Sequence, residues 1–405
     1  MKNSITIWAL ILVYLSVGCV EDKDTQTLPP PTPSTTIIKS GQITQDETWD
    51  STKVVQLNGR VTVTNGATLT IKPGTIIKAE AGQEANASTL IIARGAKIMA
   101  EGTSTSPIIF TSIADNIQSG EIVSPNLNST YSGLWGGILI LGKAPISVQG
   151  DVTSTQIEGI PPSDTNGLYG GNNPTDNSGV LKYVSIRHGG ALIGAGNEIN
   201  GLTLGGVGSG TTIEHIEVVA NVDDGIEWFG GNVDCSNLLV WHQGDDAFDI
   251  DQSYSGTINN VVFIGNESSD HALEIDGPEG SMNGSFTLTN GTFIGYNPNG
   301  GEYADFRDGA RGDLTNLYFQ NFSDNSDVEL DDQSTSDNYK NGILNFNYPW
   351  EFQTTQTFSQ IFVDKSGGNA FTDSSFMYTT KTNSVGANTL QFVGWTLADR
   401  IGMLN

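Results

Sequence analysis

Six acidic residues sit where a divalent cation could be held: Asp249 and Asp251, Glu274 and Asp276, and Glu329 and Asp331. Each pair is interleaved with apolar residues, as in Phe248-Asp249-Ile250-Asp251, Leu273-Glu274-Ile275-Asp276 and Val328-Glu329-Leu330-Asp331. On a strand, such alternation turns the acids to one face and the apolar side chains to the other. If the strands stack about 4.8 Å apart, the acids form columns, and neighbours repel by roughly 1 kcal/mol in water and several-fold more near protein. Something must offset that repulsion. Arg307, in the column Asp251, Asp276, Arg307, Asp331, supplies one charge. A hard ion bound by clustered oxygens supplies more, and calcium tolerates an irregular oxygen set better than magnesium. A parallel column holds Asp223, Asp245 and Asp270. The plainer alternative is a solvated acidic face with Asp residues at its turns.

The stacking itself is written in a repeat. An aliphatic–x–Asn/His step recurs at His215, Asn237, Asn260, Asn290 and Asn316, advancing by 22, 23, 30 and 26 residues. About 12 to 15 residues after each comes an acid between apolar neighbours: Glu227, Asp249, Glu274, Asp305 and Glu329, advancing by 22, 25, 31 and 24. Two positions stepping together at a period in the twenties indicate a solenoid. Short alternating segments punctuated by Gly, Asn and Asp make its coils β-strands, so the fold class is all-β, a right-handed parallel β-helix. The Asn/His column is expected to be a structural amide ladder. Cys235 takes the place of Ile213, Ile258, Leu288 and Leu314, which makes it a buried apolar thiol.

The repeat argues for one elongated domain over most of the 405 residues, with 49 glycines for its corners. The net charge of −27 excludes nucleic acid as a partner and favours cations or basic partners. Residues 37–380 are assigned to the β-helix and 381–405 to a C-terminal cap. The first coils run through Val61–Val63, Ile71, Ile76–Ile77, Leu90–Ile92, Ile108–Phe110 and Gly133–Ile140, covered by the residues before Val54. Residues 150–178 form a long polar excursion, which on a rigid scaffold is commonly functional. From Tyr348 the aromatics Trp350, Phe352, Phe362, Phe371 and Trp395 are expected to shield the last rung. Trp228, Phe229 and Trp241 belong to the repeat and are expected to be buried; His188 and the Gly-rich runs read as corners.

Lys2, the apolar run Ile5–Val17 and Leu15-Ser16-Val17-Gly18-Cys19 resemble a bacterial lipoprotein signal, with Ser16 where Leu is usual. That resemblance implies removal of residues 1–18 and lipidation of Cys19. Glu21-Asp22-Lys23-Asp24 then resembles an acidic surface-export signal, and 19–36, with Pro29–Pro31 and Pro33, reads as a stalk. The expected location is the outer membrane, facing the cell surface.

Asp223-Asp224-Gly225-Ile226-Glu227-Trp228-Phe229-Gly230-Gly231, Gly244-Asp245-Asp246-Ala247-Phe248-Asp249-Ile250-Asp251 and Ser269-Asp270-His271-Ala272-Leu273-Glu274 resemble a family of bacterial β-helix lipoproteins. Val222-Asp223-Asp224, Gly244-Asp245-Asp246 and Asp270-His271-Ala272 also resemble the successive rungs of polygalacturonase-type glycosidases. This second resemblance implies a catalytic set of Asp224, Asp245, Asp246 and His271. Inverting hydrolysis needs one protonated carboxyl and one carboxylate about 6.5–9.5 Å apart. The chain departs from that family at Asp270 and Ala272, where glycines flank the family's His, and at Arg307-Asp308-Gly309, which lacks its Lys. A calcium-dependent lyase would need an Arg or Lys base, for which Arg307 alone is available. The sequence therefore supports a lipid-anchored β-helix with an acidic, calcium-binding face and a glycan or outer-membrane protein as partner. The alternative is a polysaccharide-degrading enzyme.

Overall fold

The computed structural model describes residues 35–83, 86–192, 199–296, 301–372, 377–378 and 385–404. The signal segment, Cys19, the acidic patch and the stalk up to residue 34 lie outside the described residues. Twenty-four strands join in one continuous sheet wound as a right-handed parallel β-helix. Thr35–Ile43 and Glu47–Trp49 pair in parallel with Lys53–Val63 and Thr68–Ile71, so the residues before Val54 do cover the first coil.

Each regular coil has one short and one long strand. The short strands Ile226–Phe229, Phe248–Asp251, Leu273–Asp276, Ala304–Arg307 and Val328–Leu330 stack in register. Phe248, Ile250, Leu273, Ile275, Val328 and Leu330 all point into the core. Cys235, Trp228 and Trp241 are buried as well, and burial pushes the Cys235 thiol up to about 12.

The long strands, such as Cys235–Trp241 and Thr257–Ile264, bend at a single residue. That residue is the Asn/His position: φ is +57° at His215 and Asn237, +65° at Asn260, +63° at Asn290 and +59° at Asn316. Asn enters this left-handed region at less cost than other L residues, which explains the residue type. The amides also bond along the axis, Asn260 Nδ2 to Asn237 Oδ1 at 2.7 Å and Asn316 Nδ2 to Asn290 Oδ1 at 2.6 Å. Between those pairs the ladder is interrupted, because Asn290 Nδ2 donates to Asn259 Oδ1 instead.

The C-terminus departs from the expected cap. Phe346, Trp350, Phe352 and Phe362 do close the last rungs inside the core. Trp395, however, packs with Phe392, Leu397 and Ala398 on the outer face of the long strands, against Val219, Leu239, Trp241, Val262 and Ile264. The described tail runs back along the Asn ladder. The Asn316 side chain exchanges bonds with the Gly386 backbone, the Asn260 side chain with the Asn388 backbone, and His215 Nε2 lies 3.3 Å from Gln391 Oε1. The physical reason is two-sided burial: Leu238–Trp241 and Val261–Ile264 are unbroken apolar runs, whose outer residues need a cover.

Candidate functional site

The outward column of the short-strand sheet changes character along the axis. Leu139 is followed by Thr203, then by five consecutive acids, Glu227, Asp249, Glu274, Asp305 and Glu329, and finally by Val363. Two residues further along each strand run Asp251 and Asp276, then Arg307, which pairs with Asp276 in register. On the other side, just before each strand, lie Asp224, Asp246, His271 and Glu302. The carbonyls of Asp224, Asp246, His271 and Glu302 accept in turn from the backbone N–H groups of Gly201, Gly225, Ala247 and Ala272, and His271 bridges Glu302. The geometry thus brings the predicted residues Asp224, Asp246 and His271 together on successive rungs, beside the predicted column Asp249, Glu274 and Glu329.

The excursion after Leu141 builds a wall where the acids begin. Its Ile146, Val148, Ile157, Ile160 and Tyr169 cover Ile91, Leu139, Leu141 and Phe229 on the outer face. Tyr169 Oη donates to Gln252 Oε1 at 2.9 Å, and Gln252 Nε2 donates to Glu279 Oε1 at 2.9 Å, which ties the wall to the next corner. The wall and the neighbouring rungs leave the acids far less solvated than a plain acidic surface. Glu227, Asp249, Asp305 and Glu329 are 6, 8, 4 and 5 % exposed.

Among the described residues, protein cations neutralise only the later rungs. Arg307 reaches Glu274 and Asp276, each at 2.5 Å, and Asp305 at 3.8 Å. Lys365 pairs with Glu329 and Asp331. Upstream, Asp224, Glu227 and Asp249 are all buried and offer oxygens within 4.8 Å of one another. Among the described residues no cation pairs with any of the three. Asn200 donates to Glu227, while Asn200 Oδ1 and Asp249 Oδ1 are buried without a hydrogen-bond partner.

The carboxyl chemistry follows from this crowding. Burial raises Asp224, Glu227 and Asp249 well above the usual carboxylate range. Repulsion from Asp249 adds to it at Asp224 and Glu227, with Glu158 of the excursion also acting on Glu227, while Asp249 is raised further by Asp246, Asp251 and Asp276 and lowered by its bond to Glu227. Asp251 is pushed to about 7 by burial and Asp276, and Asp305 to about 7 by burial, Asp331 and Glu329. Glu274 rises to about 10 through burial and Asp246, with Arg307 pulling the other way. Asp246 behaves differently. Burial works against its ionisation, but His271 Nδ1 at 2.8 Å and the His271 backbone N–H at 2.7 Å hold it below its ordinary value. His271 responds in kind: burial opposes its charge, and the bond to Asp246 lifts it to about 9.

The catalytic set is only partly assembled. Asp224 accepts from the Asp246 backbone N–H at 3.0 Å, and His271 is bonded to Asp246. Asp245 is exposed, and its oxygens come within 4.8 Å of those of Asp223 and Asp224. Glu227, Asp305 and Glu302 were outside the predicted metal set, although Glu227 and Asp305 occupy the repeat's acid position.

No curated protein and no solved structure matches this chain. Residues 41–398 match the family described as a pectate-lyase-like beta helix domain, and the chain belongs to that family.

Proposed function

We propose that the chain is a binding module that holds calcium at Asp224, Glu227 and Asp249 and engages a glycan or an outer-membrane protein through its acidic face. One observation carries this reading: three buried carboxyls with oxygens within 4.8 Å of one another, with no cation paired to them among the described residues and with Asp249 Oδ1 and Asn200 Oδ1 unpartnered. Calcium takes about six to eight oxygens, so this set leaves positions for water or for oxygens of a ligand. Arg307 and Lys365 already serve Glu274, Asp276, Glu329 and Asp331, which moves the favoured ion upstream of those residues.

Calorimetric titration with calcium tests it. Wild-type protein is expected to bind, and Asp249→Asn to bind at least about tenfold more weakly, a loss of roughly 1.4 kcal/mol. Without calcium the same variant is expected to melt higher than wild type, because it removes a buried carboxyl whose ionisation is opposed by burial and by Asp246, Asp251 and Asp276. Absence of binding heat together with an unchanged melting temperature sinks the reading.

A second reading has its own support. Glu274, raised by burial and Asp246, and Asp246, lowered by His271, are neighbouring carboxyls whose environments push their pKa values apart, the pattern of an acid and a base. In this reading the chain cleaves polysaccharide with Asp246, His271 and their neighbours. In the same titration samples, reducing-sugar release from neutral and acidic polysaccharides that disappears in Asp246→Asn selects it.

We also propose that Cys19 carries a lipid and places the module on the outer membrane, facing outward, within a group of bacterial β-helix lipoproteins. The support is the apolar run ending at Cys19 and the acidic patch behind it. Cys19→Ser is expected to abolish incorporation of labelled palmitate and to release the protein from the membrane fraction. Labelling that persists in Cys19→Ser removes the anchor.

A further inference from the structure

His271 is set apart from the carboxylates around it. Its backbone N–H and its Nδ1 both bond Asp246 Oδ1, which fixes the ring. Glu302 lies one rung on, bridged to His271, and Glu329 stands in the adjacent outward column. Ligand-capable atoms of His271, Glu302 and Glu329 lie within 4.8 Å of one another. Beside them Asp305, 4 % exposed, keeps Oδ1 without a hydrogen-bond partner, and it offers an oxygen within 4.8 Å of Glu329.

We propose that His271, Glu302 and Glu329 form a second metal site, for a borderline first-row divalent ion such as zinc, with Asp305 as a further oxygen donor and Asp246 as a positioning residue. It is separate from the hard-cation site at Asp224, Glu227 and Asp249. The donor set decides the class. Imidazole nitrogen is a common ligand for zinc and its neighbours, whereas calcium selects oxygen. A carboxylate that holds one ring nitrogen fixes the tautomer and presents the other nitrogen to the metal, the usual outer-shell arrangement of metal-bound histidines. Lys365, half-exposed, reaches Glu329 Oε2 and Asp331, so its ammonium competes with the ion for Glu329. Binding requires a neutral ring, so the metal displaces a proton from His271.

The experiment is titration of the full chain with zinc chloride, with bound metal counted after dialysis. One zinc per chain is expected. His271→Ala and Glu302→Gln are each expected to weaken it at least tenfold, while Lys365→Met tightens it and Asp249→Asn leaves it unchanged. Asp246→Asn is expected to weaken zinc about 10–100-fold. It should also shift the pH midpoint of binding downward, because the ring loses the partner that holds its proton. Cobalt substituted for zinc gives visible bands whose position and intensity are expected to change in His271→Ala, a readout of the ligand set independent of stability. Zinc binding that survives His271→Ala in a folded variant overturns the site, as does absence of binding in wild type. Loss of both zinc and calcium in Asp249→Asn shows one shared site and also overturns it; loss of calcium alone supports it. Zinc binding without any calcium binding leaves this site standing and removes the first.

Discussion

Raising the pH of the metal-free protein from 7 to 8.5 lowers its melting temperature, and saturating calcium removes most of that fall. The sign follows from proton counting. Asp251 and Asp305 titrate near 7 in the folded chain and Asp327 near 8, while Glu274, Asp224, Glu227 and Asp249 are raised by burial and by neighbouring carboxyls. The same groups in an unfolded chain have lost their protons by about pH 5. Across this window the folded state therefore binds more protons, and stability falls with pH by about 1.4 kcal/mol per unit for each proton held only by the folded state. His271, at about 9 when folded, adds to the fall, since its contribution is fully present below the unfolded value and is lost as pH rises toward 9. His188, His215 and His242 are lowered by burial and act in the opposite sense, but mainly below about pH 7, which is why the window starts there. Calcium binds the ionised carboxylates, so its stabilisation grows as protons stop competing for them. Differential scanning fluorimetry at pH 7, 7.75 and 8.5, with chelator or with calcium, reads both trends. A metal-free melting temperature that stays level or rises, or a calcium shift that does not grow with pH, contradicts the account.

Why the columns could be read from sequence, and their burial could not, comes down to range. Alternation in Phe248–Asp251 sets which side chains point out, and the common step of Asn237 to Asn260 and Asp249 to Glu274 sets which rungs are neighbours. Both are local facts multiplied by stacking. Acids two apart on a strand mark a metal-holding face in the sequence, and that signal passes over Glu227 and Asp305, whose partners at that spacing are Phe229 and Arg307. It also passes over Asp224, which joins Glu227 only because the chain turns at Gly225 before the strand begins. The low exposure of the acids comes partly from the excursion, whose Ile146 and Tyr169 dock across the sheet on Leu139, Leu141 and Phe229. No periodicity announces such a contact. The tail is similar, except that Leu238–Trp241 and Val261–Ile264 carry a warning. A strand apolar at every position is covered on both faces, and here the cover lies more than 120 residues away in sequence.

Glu217→Ala is expected to be the most damaging single change outside the core, costing about 3–5 kcal/mol. Glu217 is fully buried on the outer face of a long strand, and the tail closes over it. Its carboxylate accepts from Ser185 Oγ at 2.6 Å, from Trp241 Nε1 at 3.3 Å, and from the backbone N–H groups of Leu397 at 3.0 Å and Ala398 at 2.9 Å. Arg187 Nη2 stands 3.8 Å away, also fully buried, with its Nε on Ser185 and its Nη1 on the Ile122 carbonyl. Removing the carboxylate leaves the guanidinium without its counter-charge and two tail amides without acceptors, and each lost partner adds a desolvation cost. Glu217→Gln keeps the shape and one acceptor oxygen, so it should cost less and leave the tail in place. The two variants separate packing from charge. Hydrogen exchange over residues 386–404 is expected to accelerate strongly in Glu217→Ala and only modestly in Glu217→Gln, with a lower melting temperature in the same order. Once the tail lifts, Val219, Leu239, Trp241, Val262 and Ile264 meet water together, so the Ala variant should also self-associate on warming. If the Ala variant keeps wild-type protection over the tail, Arg187 and Ser185 alone do not need Glu217, and the tail is held by its apolar contacts with Trp241 and Ile264.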